Sequence, residues 1–117
     1  MENKFRLKKK EDFNFIYRYG KSIANHQFVV YYKQNSIHHF RLGISVSKKT
    51  GNAVVRNRMR RVIKEIVRHH EDKVAPSYDF IIIVRKPAVH MEYHQMEKSI
   101  LHVLRKASIL TKKARGN

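Results

Sequence analysis

The sequence predicts an α/β (α+β) fold in two layers, a small mixed sheet with three helices packed on it. Three observations carry this. Residues 40–47, FRLGISVS, alternate apolar and polar side chains, the period-two mark of a strand with one buried face. Residues 80–84 are apolar at every position, as in a central strand covered on both sides. Residues 52–70 and 92–107 instead repeat their apolar side chains at helical spacing. At 117 residues the chain is one domain, residues 1–117, large enough to bury about two-thirds of the surface its unfolded form exposes.

In chain order, the first element is a short helix from Glu11 to Tyr19, led in by Lys8 to Lys10 and ended at Gly20. Phe13, Ile16 and Tyr17 fall at i, i+3, i+4, whereas Phe15 and Tyr19 project from nearly the opposite side. Such a helix cannot bury both aromatic faces against one core, so one is expected to be partly open. Residues 27–33, QFVVYYK, are rich in β-branched and aromatic types and read as a strand. The strand at 40–47 follows, and the intervening QNSIHH suits a hairpin loop.

From Asn52 to about His70 the apolar stripe is Val55, Met59, Val62, Ile63, Ile66 and Val67, with Gly51 and Asn52 supplying the turn and N-cap. The strand at 79–85 is closed by Pro87, and a last helix from roughly Glu92 to Ala107 buries Met96, Ile100, Val103, Leu104 and Ala107. The order helix, strand, strand, helix, strand, helix has the size of a ribosomal-protein-like fold. Residues 111–117 are expected to fray as a basic tail.

Charge narrows the function. The chain holds 26 Lys and Arg against 9 Asp and Glu, a formal +17, and so large an excess repels itself unless a polyanion compensates it. Nucleic acid is the first partner class to consider and an anionic membrane the second. No apolar run approaches the roughly 20 residues of a spanning helix, and MENKFRLKKKEDF lacks the apolar core of a signal peptide. A cytoplasmic, single nucleic-acid-binding domain with no membrane association is therefore expected. The absence of cysteine removes thiol nucleophiles, disulfides and thiolate metal sites.

The stretch SVSKKTGNAVVRNRMRR, 45–61, carries Lys48, Lys49, Arg56, Arg58, Arg60 and Arg61 without one acid. On the helix that follows, the apolar stripe takes one side, Asn57, Arg60, Arg61, Lys64 and Arg68 spread over the other, and Arg56 and Arg58 mark the borders. A charged outer face is ordinarily just solvated. Such a face normally mixes signs and gains from i, i+4 pairs, whereas Glu65 is the sole acid between Gly51 and His70. Cations held rigidly at this spacing suit phosphates, each of which releases counterions when neutralised.

Four segments, RLKKKEDFNFIYRYG, SIANHQFVVYY, FRLGISVSKKTGNAVVRNRMRRVIKE and DFIIIVRKPA, resemble the protein subunits of bacterial ribonuclease P in order and spacing. The most specific signature is Arg56-Asn57-Arg58, preceded by Lys48 to Val54. The resemblance implies the cofactor protein of a ribozyme, in which a large RNA subunit with Mg²⁺ hydrolyses the phosphodiester joining the 5′ leader to precursor tRNA. No residue of the protein is then catalytic, and the protein alone binds no metal or other cofactor. It also implies a left-handed β-α-β crossover, against the usual right-handed rule.

By the same resemblance, the catalytic RNA is met by Lys48, Lys49, Asn52, Arg56, Asn57, Arg58, Arg60, Arg61, Lys64 and Arg68. A cleft between the first helix and the sheet is to hold the single-stranded leader, lined by Arg6, Lys9, Phe13, Tyr17, Phe28 and Tyr31, with Ser47 and Lys48 near the rim. Aromatic platforms and cations are what a single strand requires. The partners implied are the ribonuclease P RNA and the precursor tRNA leader, with no obligate protein partner.

The histidines, including the His69, His70, Glu71 run and the His90, His94 pair, match no metal-ligand motif. The acids are scattered, which disfavours a protein-only nuclease needing clustered carboxylates for two metals. A structural RNA-binding protein such as a ribosomal component is the alternative.

Overall fold

In the computed structural model, which describes residues 1–111, four strands form one sheet: β1 (Lys21–Ala24), β2 (Phe28–Gln34), β3 (Arg41–Ser45) and β4 (Tyr78–Val84). The helices are α1 (Lys10–Tyr19), α2 (Ala53–His69) and α3 (Tyr93–Lys106). The sheet order is β1-β2-β4-β3, with β4 antiparallel to β2 and parallel to β3. It is a mixed sheet with three helices, as the sequence predicts.

The apolar run of β4 is explained by its central place. Phe80, Ile82 and Val84 point into the main core, where they meet Phe28 and Val30 of β2, Leu42 of β3 and the buried stripes of α2 and α3. Ile81 points the other way, into a smaller cluster with Leu7 and Ile16 that Phe13, Tyr31 and Ile83 flank. Thus α2 and α3 cover one face and α1 crosses part of the other.

Two sequence expectations are corrected. QNSIHH is not a hairpin loop, because β4 lies between β2 and β3. The actual hairpin joins β2 to β1, a strand that the sequence reading lacks. Its turn is held by the Asn25 carboxamide oxygen, which accepts from the backbone N–H groups of Gln27 and Phe28 at 3.0 and 2.9 Å. The loop after β2 instead passes the N-terminal end of β4, where Asn35 N–H donates to the Ser77 carbonyl at 2.8 Å. It is pinned there by Asn35, which donates to Asp79 at 2.9 Å.

Arg41 grips the same carboxylate through two hydrogen bonds, at 2.8 and 2.6 Å. Asp79 is buried, and its fork holds the Arg41 guanidinium proton more firmly than usual. Of the expected tail, Thr111 donates from its backbone and its hydroxyl to the Lys73 carbonyl. The remainder of that tail, 112–117, lies outside the described residues.

Candidate nucleic-acid interface

Helix α2 begins as its sequence requires, with the Asn52 side chain accepting from the Val55 N–H at 3.0 Å. Met59, Ile63, Ile66 and Val67 are buried, which fixes the opposite, basic side in place. Arg56, Arg60 and Lys64 follow one another at four-residue spacing and are half-buried, whereas Asn57, Arg58, Arg61 and Arg68 are exposed. Lys48 and Lys49 are exposed in the turn before α2, where Ser47 Oγ lies 3.1 Å from Thr50 Oγ1.

The cations differ in availability. Arg68 donates to Glu65 at 2.6 Å, a bond that holds the Glu65 carboxyl below its usual range. Lys64 has the opposite environment. Burial first, then the charges of Arg6 and Arg60, push its ammonium below the usual lysine value. The crowding of Arg6, Arg60 and Lys64 is a cost that an incoming phosphate would relieve.

These three line a hollow of about 280 Å³ together with Lys8 and Phe13, over Leu7, Leu42 and Ile44. Arg6 reaches it because its segment is tied to β3, Leu7 N–H donating to the Leu42 carbonyl at 2.8 Å. From Phe13 a row of rings continues across the sheet. Phe13 and Tyr17 are 6.5 Å apart, and Tyr17 meets the Tyr31 ring edge to face at 5.1 Å. Lys9, exposed, sits at the N-cap of α1.

The structure therefore brings Arg6, Phe13, Tyr17 and Tyr31 together and joins their row to Arg60 and Lys64. Phe28 is a correction. It is fully buried in the main core, because residues 28 and 31 of one strand point to opposite faces. Val29, half-buried beside Ile83, stands on the Tyr31 face instead. Gly43 was also missed. A Cβ there would stand 2.6 Å from Phe13 Cζ, so the bare glycine lets the Phe13 ring lie against the sheet. A glycine inside a strand is the signal for such close approach.

The sequence and the fold of this chain both have counterparts among known proteins. The ribonuclease P family model matches residues 1–108. The chain belongs to the ribonuclease P protein family. The ribonuclease P protein component of Listeria welshimeri is 50% identical over 114 residues, 97% of this chain and 96% of the relative. That of Staphylococcus epidermidis is 49% identical, over 97% and 98%. Among solved structures, the Staphylococcus aureus RNase P protein superposes with a TM-score of 0.86 at 48% identity, covering 92% of this chain and 98% of that one. The Thermotoga maritima RNase P protein gives 0.81 at 31% identity, over 86% and 96%.

Membership makes this chain part of the ribonuclease P holoenzyme, an endoribonuclease, with an RNA partner and a role in processing the 5′ leader of precursor tRNA. His69 and His70 make local contacts: His69 lies 3.1 Å from Glu65, and His70 lies 3.0 Å from Glu97. Among the described residues no three His, Asp or Glu side chains converge as metal ligands, and no helix is long and apolar enough to cross a membrane.

Proposed function

We propose that the two halves of this interface divide the substrate complex between them. The outward row of α2, with Arg58 and Arg61 and the turn lysines Lys48 and Lys49, docks on the ribonuclease P RNA. The row Phe13, Tyr17 and Tyr31 stacks bases of the single-stranded leader. Arg6, Arg60 and Lys64 stand between them and hold phosphates where leader and catalytic RNA meet.

One observation carries this reading, the shared hollow in which Phe13 abuts three crowded cations. Stacking rings accept any base and cations follow any backbone, so the grip is strong in length and weak in sequence. On this reading the protein contributes donors and rings, and the activation of water falls to the RNA. Mg²⁺ belongs to the RNA, which supplies the hydrolysis when the ion is bound. The protein works in the cytoplasm, without an obligate protein partner.

The test is reconstitution with a transcribed bacterial ribonuclease P RNA and precursor tRNA at low Mg²⁺. The expected result is correct 5′ maturation with protein plus RNA where RNA alone is slow, and no cleavage by protein alone. Failure to stimulate any bacterial catalytic RNA would favour a purely structural RNA-binding role. Cleavage by RNA-free protein would reject the ribozyme-cofactor assignment.

A further inference from the structure

Helix α1 carries a second pair of aromatic rings that the leader cleft does not use. Phe15 and Tyr19, one turn apart on the side away from Phe13 and Tyr17, are 51% and 58% exposed. So little burial leaves most of their apolar surface in water. Their ring centroids are 5.0 Å apart, and each ring has a cation above it. The Arg18 guanidinium lies 5.4 Å from the Tyr19 centroid, and the Lys33 ammonium, from β2, lies 5.8 Å from that of Phe15.

Beyond Tyr19 the surface dips into a hollow of about 230 Å³, where Tyr32 and Tyr78 stand with ring centroids 6.3 Å apart. Lys21 and Lys33 border this hollow and no carboxylate lines it. On the Phe15 flank the adjoining depression contains Asp12 and Asp79, and Arg41 bridges both. Glu11, one turn before Phe15, closes the strip at its far end.

We propose that this strip, from Phe15 through Tyr19 to the Tyr32 and Tyr78 hollow, is a second single-stranded RNA-binding surface, separate from the leader cleft. Open rings alone would suit a protein partner. Rings interleaved with the cations Arg18, Lys21 and Lys33 select a polyanion with flat faces to stack, and a single strand offers both while a duplex hides its bases. The body of α1, anchored by the buried Ile16, separates this strip from the cleft. A strand held here therefore does not need the leader path, and the proposal stands whether or not the cleft holds the leader.

The chain has no tryptophan, so Tyr19→Trp makes a unique fluorescent reporter on the strip. Titrating that variant with octauridylate should quench the emission by stacking, while inorganic polyphosphate of similar charge should bind with little quenching. Adding Phe13→Ala and Tyr31→Ala should leave the midpoint within about twofold. Adding Phe15→Ser and Lys33→Ser instead should raise it at least ~5-fold.

Equal quenching by polyphosphate, or loss of quenching when the cleft aromatics are removed, would overturn the proposal. So would no quenching by RNA combined with a blue shift of the emission as protein concentration rises, which would assign the strip to contact between copies of this chain.

Discussion

Replacing Gly43 by alanine should displace one aromatic ring of the proposed leader cleft without touching any cation. The new methyl would stand 2.6 and 2.8 Å from Cζ and Cε2 of Phe13 and 3.3 Å from Leu7 Cδ2. Carbon atoms pack at about 3.5 to 4.0 Å, so the ring must retreat by roughly 1 Å. Phe13 is only half-buried and can yield toward solvent, which puts the stability cost near 1 kcal/mol, the low end for overpacking. That corresponds to a fall in Tm of about 4 °C for a domain of this size.

The functional loss should be larger than this implies. A displaced platform forfeits part of one base stack, worth ~1–3 kcal/mol, so leader affinity should fall about fivefold or more. The assay compares dissociation constants of the reconstituted holoenzyme for precursor tRNA and for mature tRNA. Gly43→Ala should weaken the first, spare the second and leave assembly with the catalytic RNA unchanged. Adding Phe13→Leu should recover stability but not leader affinity. A fall in Tm with leader affinity intact would show that Phe13 does not stack on the leader.

The remaining predictions use the same assays. Arg58→Ala with Arg61→Ala should weaken only assembly with the catalytic RNA, flattening its log-log salt dependence by about 0.7–0.9 per lost phosphate contact; Arg60→Ala with Lys64→Ala, at the shared hollow, should weaken leader affinity as well. Asp79→Ala removes the acceptor of the Arg41 fork and one of the two acceptors of Asn35, which keeps the His39 carbonyl. Breaking a buried pair costs about 3–5 kcal/mol, but Arg41 is partly exposed and keeps Asp12 at 3.8 Å, so about 2 kcal/mol should appear in urea unfolding.

Lys64 has a folded-state pKa below its usual value. Its protonated form is therefore disfavoured by folding, and that cost is present at neutral pH and fades only as pH rises through the lowered value. Lys64→Met should raise Tm at pH 7 and low salt while weakening RNA assembly; a lower Tm would mean that its neighbours do not repel it.

The parts of the fold that were legible are those whose signal is local. β4 announced its central place through five consecutive apolar residues, and α2 and α3 through stripes that are buried in the structure apart from Val55 and Val62, which are half-buried. β1 was invisible because KSIA is four residues long and at most half-buried, too short for a period to register. The pairing of β2 with β4 rather than β3 is a long-range choice that no turn signal encodes, and the actual turn rests on a single side chain, Asn25.

The site was legible in its chemistry and less so in its geometry. The cations of α2 and the rings of α1 could be read from periodicity, and strand parity alone could have separated Phe28 from Tyr31. The i, i+3 spacing of Glu65 and Arg68 could have marked Arg68 as a paired cation, although the sequence reading placed it among the RNA contacts. Arg6 was different. Its arrival beside Arg60 and Lys64 depends on the backbone bond from Leu7 to Leu42, a contact between distant segments that makes one continuous interface of what the sequence presents as two.

The central claim, that the aromatic row holds the leader, is tested most directly by dissociation constants for precursor tRNAs of graded leader length, with and without the protein, bound to the catalytic RNA. The account predicts a protein-dependent gain with leaders of several nucleotides that shrinks sharply at one or two and is nearly absent for mature tRNA. A gain that stays constant down to zero leader nucleotides would contradict it.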